Sequence, residues 1–243
     1  HNSGRRQRQM CIRDRLLAAG SGTRMQGSVG DKVLTSIHGK PVILYSIEAF
    51  AQSKIVDEFI IVYRDVSQMK KVASIIEKND LGHLNIQTVQ GGSDRQTSVF
   101  SALKIIDPMC TQVFIHDCAR PCLRSEAIKE LNIIAKQDGA ACLAHPIVDT
   151  IKRIRSTDNA RKQKLENLDR TGLWAMETPQ VFNFKSILEA YENVVKKKLR
   201  VTDDASAYDS IGLKCSLVPS AYPNPKLTSV NDLAYIEYLL KEV

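Results

Sequence analysis

The sequence predicts an α/β fold, a doubly wound and mostly parallel sheet with a protruding β-hairpin arm. Three observations predict it. Short apolar runs alternate with stretches of helical period in a β-α-β-α order. Several strand-to-helix loops carry small and polar residues, where open parallel sheets bind ligands. The alternation breaks once, over residues 148–173, between two stretches of alternating residue type.

The 243 residues, 43% apolar and 25% charged, suit an ordinary globular chain with a sizeable core. Residues 1–15 are expected to be a non-native or disordered leader, because Arg5, Arg6, Arg8, Arg13 and Arg15 are not followed by a signal-peptide core. That leaves 16–243 as one domain, with only Leu16 and Leu17 for its first strand. The leader, with Asp14, carries +4 of the formal +7, so the rest carries +3. So small a surplus argues against nucleic acid as a partner and suits small phosphorylated anions. No apolar run approaches the roughly 18 residues of a membrane helix, so no membrane partner is expected.

Each element follows from its pattern. Residues 58–63 (Glu-Phe-Ile-Ile-Val-Tyr) read as a buried strand. Residues 66–78 read as a helix, with Met69, Val72, Ala73 and Ile76 on one face. A strand at 84–89, a helix at 97–106 and an apolar strand at 112–116 follow. A helix at 125–137 has Ser125 as its expected cap and Glu126 in its first turn, and it ends at Gly139. Residues 140–145 form the next strand. Within the arm, 149–154 reads as one strand, followed by a basic stretch, 155–164, and a return through Asp169 to Trp174. Helices at 184–195 and 205–211, a strand at 214–218 and a final helix at 231–240 complete the chain. Cys11, Cys110, Cys118, Cys122, Cys142 and Cys215 read as reduced cytoplasmic thiols. His116, Cys118 and Cys122 lack the second ligand pair of a zinc site, so these cysteines read as small buried hydrophobes.

Four groups of residues carry candidate chemistry. The first is Gly20-Ser21-Gly22-Thr23-Arg24-Met25, where glycines let backbone N–H groups approach phosphate oxygens. A dinucleotide fingerprint would need glycine at Met25, and a Walker loop would need Lys-Ser or Lys-Thr where Ser28 and Val29 stand. The second is Gly91-Gly92-Ser93-Asp94-Arg95-Gln96-Thr97-Ser98. Gly92, Ser93 and Ser98 could read a base edge, or Ser93 or Asp94 could simply cap the helix. The third is His116-Asp117-Cys118-Ala119-Arg120-Pro121, whose carboxylate at a strand end suits Mg²⁺ beside nucleotide phosphates. The fourth is dispersed: Thr150, Arg170, Thr178-Pro179-Gln180, Thr202-Asp203-Asp204 and Lys226. Spacing alone does not select these.

Taken in order, these motifs resemble one family. They are Ala18-Ala19-Gly20-Ser21-Gly22-Thr23-Arg24-Met25, Gly39-Lys40-Pro41, Gly-Gly-x-x-Arg-x-x-Ser at 91–98, His-Asp-x-Ala-Arg-Pro at 116–121, Asp-Thr-Ile-Lys at 149–152, Asp-Arg-x-Gly-Leu-Trp at 169–174, Thr-Pro-Gln at 178–180 and Thr-Asp-Asp-Ala-Ser at 202–206. The sequence is similar to the 2-C-methyl-D-erythritol 4-phosphate cytidylyltransferases of the non-mevalonate isoprenoid pathway, from about residue 16 to the C-terminus. The resemblance implies a Rossmann-like nucleotidyltransferase that joins CTP to methylerythritol phosphate with a divalent cation, Mg²⁺ or another, and releases pyrophosphate. It implies that Arg24 and Lys32 stabilise the transition state, and that Arg170 and Lys226, with Thr150 and Thr202 beside them, position the acceptor. Ala18, Ala19, Gly20, Gly92, Ser93 and Ser98 match the cytidine pocket, Ser21 and Gly22 continue the phosphate loop, and Asp117 matches the metal-binding acid. It further implies a homodimer that exchanges its 148–173 arms, and a location in the cytoplasm, or in the plastid stroma of a plant or alga.

Two positions depart from the family pattern. Asp31 replaces a proline and places a negative charge beside Lys32, and Ser93 stands where an aspartate is frequent. Cytidylyl transfer to ribitol 5-phosphate, a general sugar-nucleotide synthase and a non-catalytic nucleotide-binding homologue are the alternatives.

Overall fold

A computed structural model of the chain describes residues 31–154 and 164–241, and the backbone of 12–17. The strands are β1 (Ile12–Leu17), β2 (Ser36–Ile37), β3 (Lys40–Pro41), β4 (Glu58–Tyr63), β5 (Ile86–Gln90), β6 (Gln112–Asp117), β7 (Ala140–Pro146), β8 (Lys152–Arg153), β9 (Glu166–Asn167), β10 (Trp174–Asn183) and β11 (Ser216–Pro219). The helices are α1 (Val42–Ser53), α2 (Val66–Lys78), α3 (Arg95–Lys104), α4 (Ser125–Asp138), α5 (Phe184–Lys196), α6 (Asp204–Asp209) and α7 (Asn231–Leu239).

The main sheet has the order β11-β7-β10-β6-β1-β4-β5 among the described residues. Its ladders are parallel except where β10 runs antiparallel between β6 and β7. The mostly parallel sheet expected from sequence is thus present. Alternate residues of each buried strand face opposite layers. Phe59 and Ile61 of β4 pack with α1, α2 and α4, whereas Ile60 and Val62 pack with α3 and α5. The sheet is therefore the middle of three layers. No helix among the described residues is long and apolar enough to cross a membrane.

Several expectations need correction. The first strand is not reduced to Leu16 and Leu17. It begins at Ile12, inside the segment assigned to a leader, and pairs with β4 and β6 on both edges. Two ladders satisfy its backbone polar groups, which outweighs a composition unlike that of a buried strand. Ser125 does not cap α4. The cap position is Arg124, without a side-chain cap bond, and the Ser125 hydroxyl donates to Glu126 instead. Gly139 ends that helix in a left-handed conformation at φ 87°, donating its N–H to Ala135. Among the described residues of the arm, the strand ladder is confined to Lys152 and Arg153, paired with Asn167 and Glu166, so the strand expected over 149–154 is two residues long there. The basic tip, 155–163, lies outside the described residues, as do Cys11 and the whole 18–25 loop. Cys110, Cys118, Cys122 and Cys142 are buried free thiols, as expected, and Cys215 is partly exposed.

Sheet order places the candidate site. From β1 the chain moves outward to β4 and β5, then crosses to β6 on the other side of β1. The strand order reverses there, and ligands bind beyond the carboxyl ends of the strands at such a point. The 18–25 loop follows β1, and Asp117 ends β6.

Candidate active site

The apolar residues Val113, Phe114 and Ile115 bury β6 in the sheet and carry His116 and Asp117 to its end. His116 is fully buried, and burial pushes its pKa down to about 3, so its ring is neutral. The Asp117 N–H donates to Thr178 Oγ1 at 3.1 Å. The Thr178 hydroxyl is then free to donate to His116 Nδ1, 3.1 Å away. This leaves the His116 Nε2–H for Ser46 Oγ at 3.2 Å. β6, β10 and α1 are thereby tied together just beneath Asp117.

Asp117 is 8% exposed and meets two cations. Its Oδ1 accepts from Arg95 Nε at 3.3 Å, and its Oδ2 accepts from Lys226 Nζ. Burial opposes ionisation of Asp117, but the charges of Arg95 and Lys226 outweigh it and hold the carboxyl well below the usual range. Arg95 also bonds the fully buried Asp204 at 2.6 Å, and Tyr191 donates to the other oxygen of Asp204 at 2.6 Å. Neighbouring residues hold the Lys226 segment in place. Leu227 donates its N–H to the Ala119 carbonyl at 2.7 Å. Asn224 donates to Glu177 and to the Thr178 carbonyl, and Arg120 donates to the Asn224 carbonyl at 2.6 Å.

The 91–98 loop settles which of its residues cap α3. Asp94 forms a capping box with Thr97. The Ser98 hydroxyl, expected to meet a base, is 4% exposed, accepts from the Gly92 N–H and donates to the Asp94 carbonyl. A Cβ at Gly92 would lie 2.3 Å from Thr97 Oγ1, so this turn requires glycine. Ser93 is exposed and contacts Asp94.

Lys32 is half-buried in the turn after Asp31. The Asp31 carboxylate, expected to burden Lys32, accepts from Gln68 Nε2 at 2.6 Å and faces Arg64 at 3.3 Å. Thr150 and Arg170 are exposed on the arm. Arg170 bonds the Val148 carbonyl across the base of the hairpin. Among the described residues, neither Thr150 nor Arg170 bonds Asp117 or Lys226. Thr202 is exposed, with its hydroxyl 3.2 Å from that of Ser206. Arg24, Ala18, Ala19, Gly20, Ser21 and Gly22 lie outside the described residues.

The structure thus joins Asp117 and Lys226, 109 residues apart. It connects Arg95 and Asp204, which the motifs contain without a stated role, and adds Tyr191, which the sequence does not single out, because no local spacing signals contacts across such separations. Among the described residues no three His, Cys, Asp or Glu side chains are grouped to hold a metal ion. Mg²⁺ commonly takes one or two carboxylates, with phosphate oxygens and water completing its shell. Asp117 suits that donor set, since each of its oxygens has a lone pair beyond the one a cation uses.

A carboxylate and cations gathered at the switch point of a parallel sheet define a nucleotide-binding α/β protein of the nucleotidyltransferase class. Comparison with known proteins resolves the class further. The family model of 2-C-methyl-D-erythritol 4-phosphate cytidylyltransferase (IspD) matches residues 15–242. The chain is 36% identical over 227 residues to the 2-C-methyl-D-erythritol 4-phosphate cytidylyltransferase of Caldanaerobacter subterraneus subsp. tengcongensis, covering 93% of this chain and 97% of that protein. It is 36% identical over 228 residues to the protein of the same name from Clostridium acetobutylicum, covering 93% and 96%. The crystal structure of 4-diphosphocytidyl-2C-methyl-D-erythritol synthase from Anaerococcus prevotii superposes with a TM-score of 0.79 at 27% identity, covering 95% of this chain and 98% of that one. The chain belongs to the 2-C-methyl-D-erythritol 4-phosphate cytidylyltransferase family, and it is a CTP-dependent nucleotidyltransferase.

Proposed function

We propose that the chain transfers the cytidylyl group of CTP to 2-C-methyl-D-erythritol 4-phosphate, in isoprenoid precursor biosynthesis. A phosphate oxygen of the acceptor attacks the α-phosphorus of CTP in line. The bond from that phosphorus to the bridging oxygen breaks, and pyrophosphate leaves with the electron pair. No covalent enzyme intermediate is needed, so the protein contributes position and charge. Lys32 and Arg24 face the oxygens on which negative charge builds. Ala18, Ala19, Gly20, Ser21, Gly22, Gly92 and Ser93 form the nucleotide cradle, and Ser98 holds the Gly92 turn from within. Lys226, with Arg170, Thr150 and Thr202, orients the acceptor's phosphate. Asp117 would hold the divalent cation, which when bound supplies positive charge to the triphosphate. Arg170 and Thr150 reach the site from a partner's arm in a homodimer, a reading supported by the absence, among the described residues, of a bond from either to Asp117 or Lys226. Buried free thiols suit a reducing compartment, the cytoplasm or a plastid stroma.

The observation that carries this reading is the Asp117–Lys226 pair at the switch point. The pair supports the reading because a carboxylate suits a divalent cation and the ammonium beside it suits a phosphate. Pyrophosphate release with CTP and Mg²⁺ tests it, comparing methylerythritol phosphate with ribitol 5-phosphate. Turnover with the first is expected. Turnover with ribitol phosphate alone would reassign the acceptor, and turnover with neither would favour a non-catalytic homologue. In the same assay Lys32→Ala should lower kcat far more than it raises the apparent KM for CTP. A variant that merely binds CTP more weakly would contradict the role given to Lys32.

A further inference from the structure

We propose that Arg95 is a positioning residue for the transfer, bridging Asp204 to Asp117 so that the Asp117 carboxylate stays in place when Lys226 turns to the acceptor's phosphate. The proposal rests on the acceptor-binding role given to Lys226 above.

Asp117 is nearly buried and shares its charge between two cations, Lys226 and Arg95. If Lys226 is to hold an acceptor phosphate, it must give up some or all of its bond to Asp117. A buried carboxylate that loses a partner is costly unless another remains. Arg95 can remain, because its other end is anchored. The NH2 nitrogen bonds Asp204 at 2.6 Å, and Asp204 is fully buried at the start of α6 with Tyr191 on its second oxygen. The Tyr191 ring lies parallel to that of Phe100 on α3, the centroids 6.3 Å apart, which ties this end of the relay back to the helix that carries Arg95.

Helix stability does not explain an arginine here. Arg95 is the first residue of α3, and positive charge is disfavoured at a helix N-terminus. The bridge also needs arginine rather than any cation. A guanidinium presents donors in several directions from one rigid plane, and here Nε serves Asp117 while NH2 serves Asp204. A lysine ammonium is a single point charge and cannot span both carboxylates in the same way. The relay Tyr191–Asp204–Arg95–Asp117–Lys226 therefore fixes the 202–204 segment, including Thr202, relative to the end of β6.

The test compares the full-length protein with Arg95→Gln and Arg95→Lys, measuring pyrophosphate release with CTP, Mg²⁺ and methylerythritol phosphate alongside thermal unfolding. Arg95→Gln should lower kcat tenfold or more and leave the KM for CTP within about threefold. Arg95→Lys should recover only part of the loss. Arg95→Lys should unfold within a few degrees of the parent, and Arg95→Gln at a lower temperature, because buried Asp204 then keeps Tyr191 but no cation. The proposal is overturned if Arg95→Gln keeps its kcat within twofold. It is equally overturned if Arg95→Lys restores both stability and kcat in full, since any cation would then suffice. Should Arg95→Gln fail to fold, Arg95→Lys decides alone, with a selective fall in kcat as the supporting result. Absence of turnover in the parent would sink the functional reading, and the bridge would then be judged by unfolding alone. Tm losses of Arg95→Gln and Asp117→Asn that are less than additive in the double variant support the bridge, and additive losses overturn it.

Discussion

Asp31 bears a negative charge next to Lys32, where the family pattern leads one to expect proline. Its carboxylate is nonetheless committed to Gln68 of α2 and to Arg64 just before that helix. Its own backbone joins in, because Asp31 Oδ1 accepts the Val33 N–H at 3.3 Å and the Asp31 carbonyl accepts the Leu34 N–H at 3.0 Å. A proline would stiffen this segment covalently. Asp31 stiffens it by pinning it to α2, with its charge partly compensated by Arg64. Hydrogen bonds to a charged group contribute about 1.5–3 kcal/mol each. Asp31→Ala should therefore cost about 1–3 kcal/mol in thermal unfolding, and it should lower kcat because Lys32 is less well placed. A rise in kcat would show instead that the charge harms Lys32. Sequence alone made this residue look like a defect, since Arg64 and Gln68 lie too far along the chain for their approach to be read from spacing. Lys226 was legible only through the family resemblance, for the same reason, whereas Asp117 stood out by its place at the end of an apolar strand.

Elements were legible where one face is apolar and the other is not. The helical period of α2 and the apolar runs of β4 and β6 give those elements directly, to within a residue. Helix α1 lacks such a stripe because Val42, Ile43, Leu44, Ile47, Ala49 and Phe50 are all buried, so it is apolar nearly all round. Strand β10 was hidden for a different reason. Its register shifts between Met176 and Gln180, so alternation is interrupted midway. At α3 the sequence left the capping residue open, and the structure selects Asp94. Its carboxyl sits below the usual range chiefly because it accepts the Thr97 N–H. Asp94→Ala should cost about 1 kcal/mol near neutral pH. A carboxylate with a depressed pKa stabilises the fold above the unfolded value of 3.8 and loses that contribution as pH falls through its folded value. The Tm gap between parent and Asp94→Ala should thus stay constant from pH 8 to 5 and narrow below pH 4. A gap that persists in acid would assign the effect to the lost packing of the side chain.

At the scale of the whole molecule, the arm is the part that one chain does not account for. Val148, Leu165 and Leu173 are 74%, 58% and 38% exposed on it, and Arg170 and Thr150 point to no partner at the Asp117 cluster. A homodimer with exchanged arms would cover these side chains and complete each site with the other subunit's Arg170. Light scattering should then give twice the 27.1 kDa chain mass. Mass alone does not show which subunit supplies Arg170, but complementation does. Arg170→Ala and Lys32→Ala subunits should each be nearly inactive as homodimers. In a mixed dimer with exchanged arms, one site combines Lys32 from the first subunit with Arg170 from the second, and the other site lacks both. Half of randomly mixed dimers are of this kind, so co-expression should recover about a quarter of parental activity. If Arg170 serves its own chain's site, every site in every mixed dimer lacks one of the two residues. Co-expression would then restore nothing, and the exchanged arm would be ruled out as the source of Arg170.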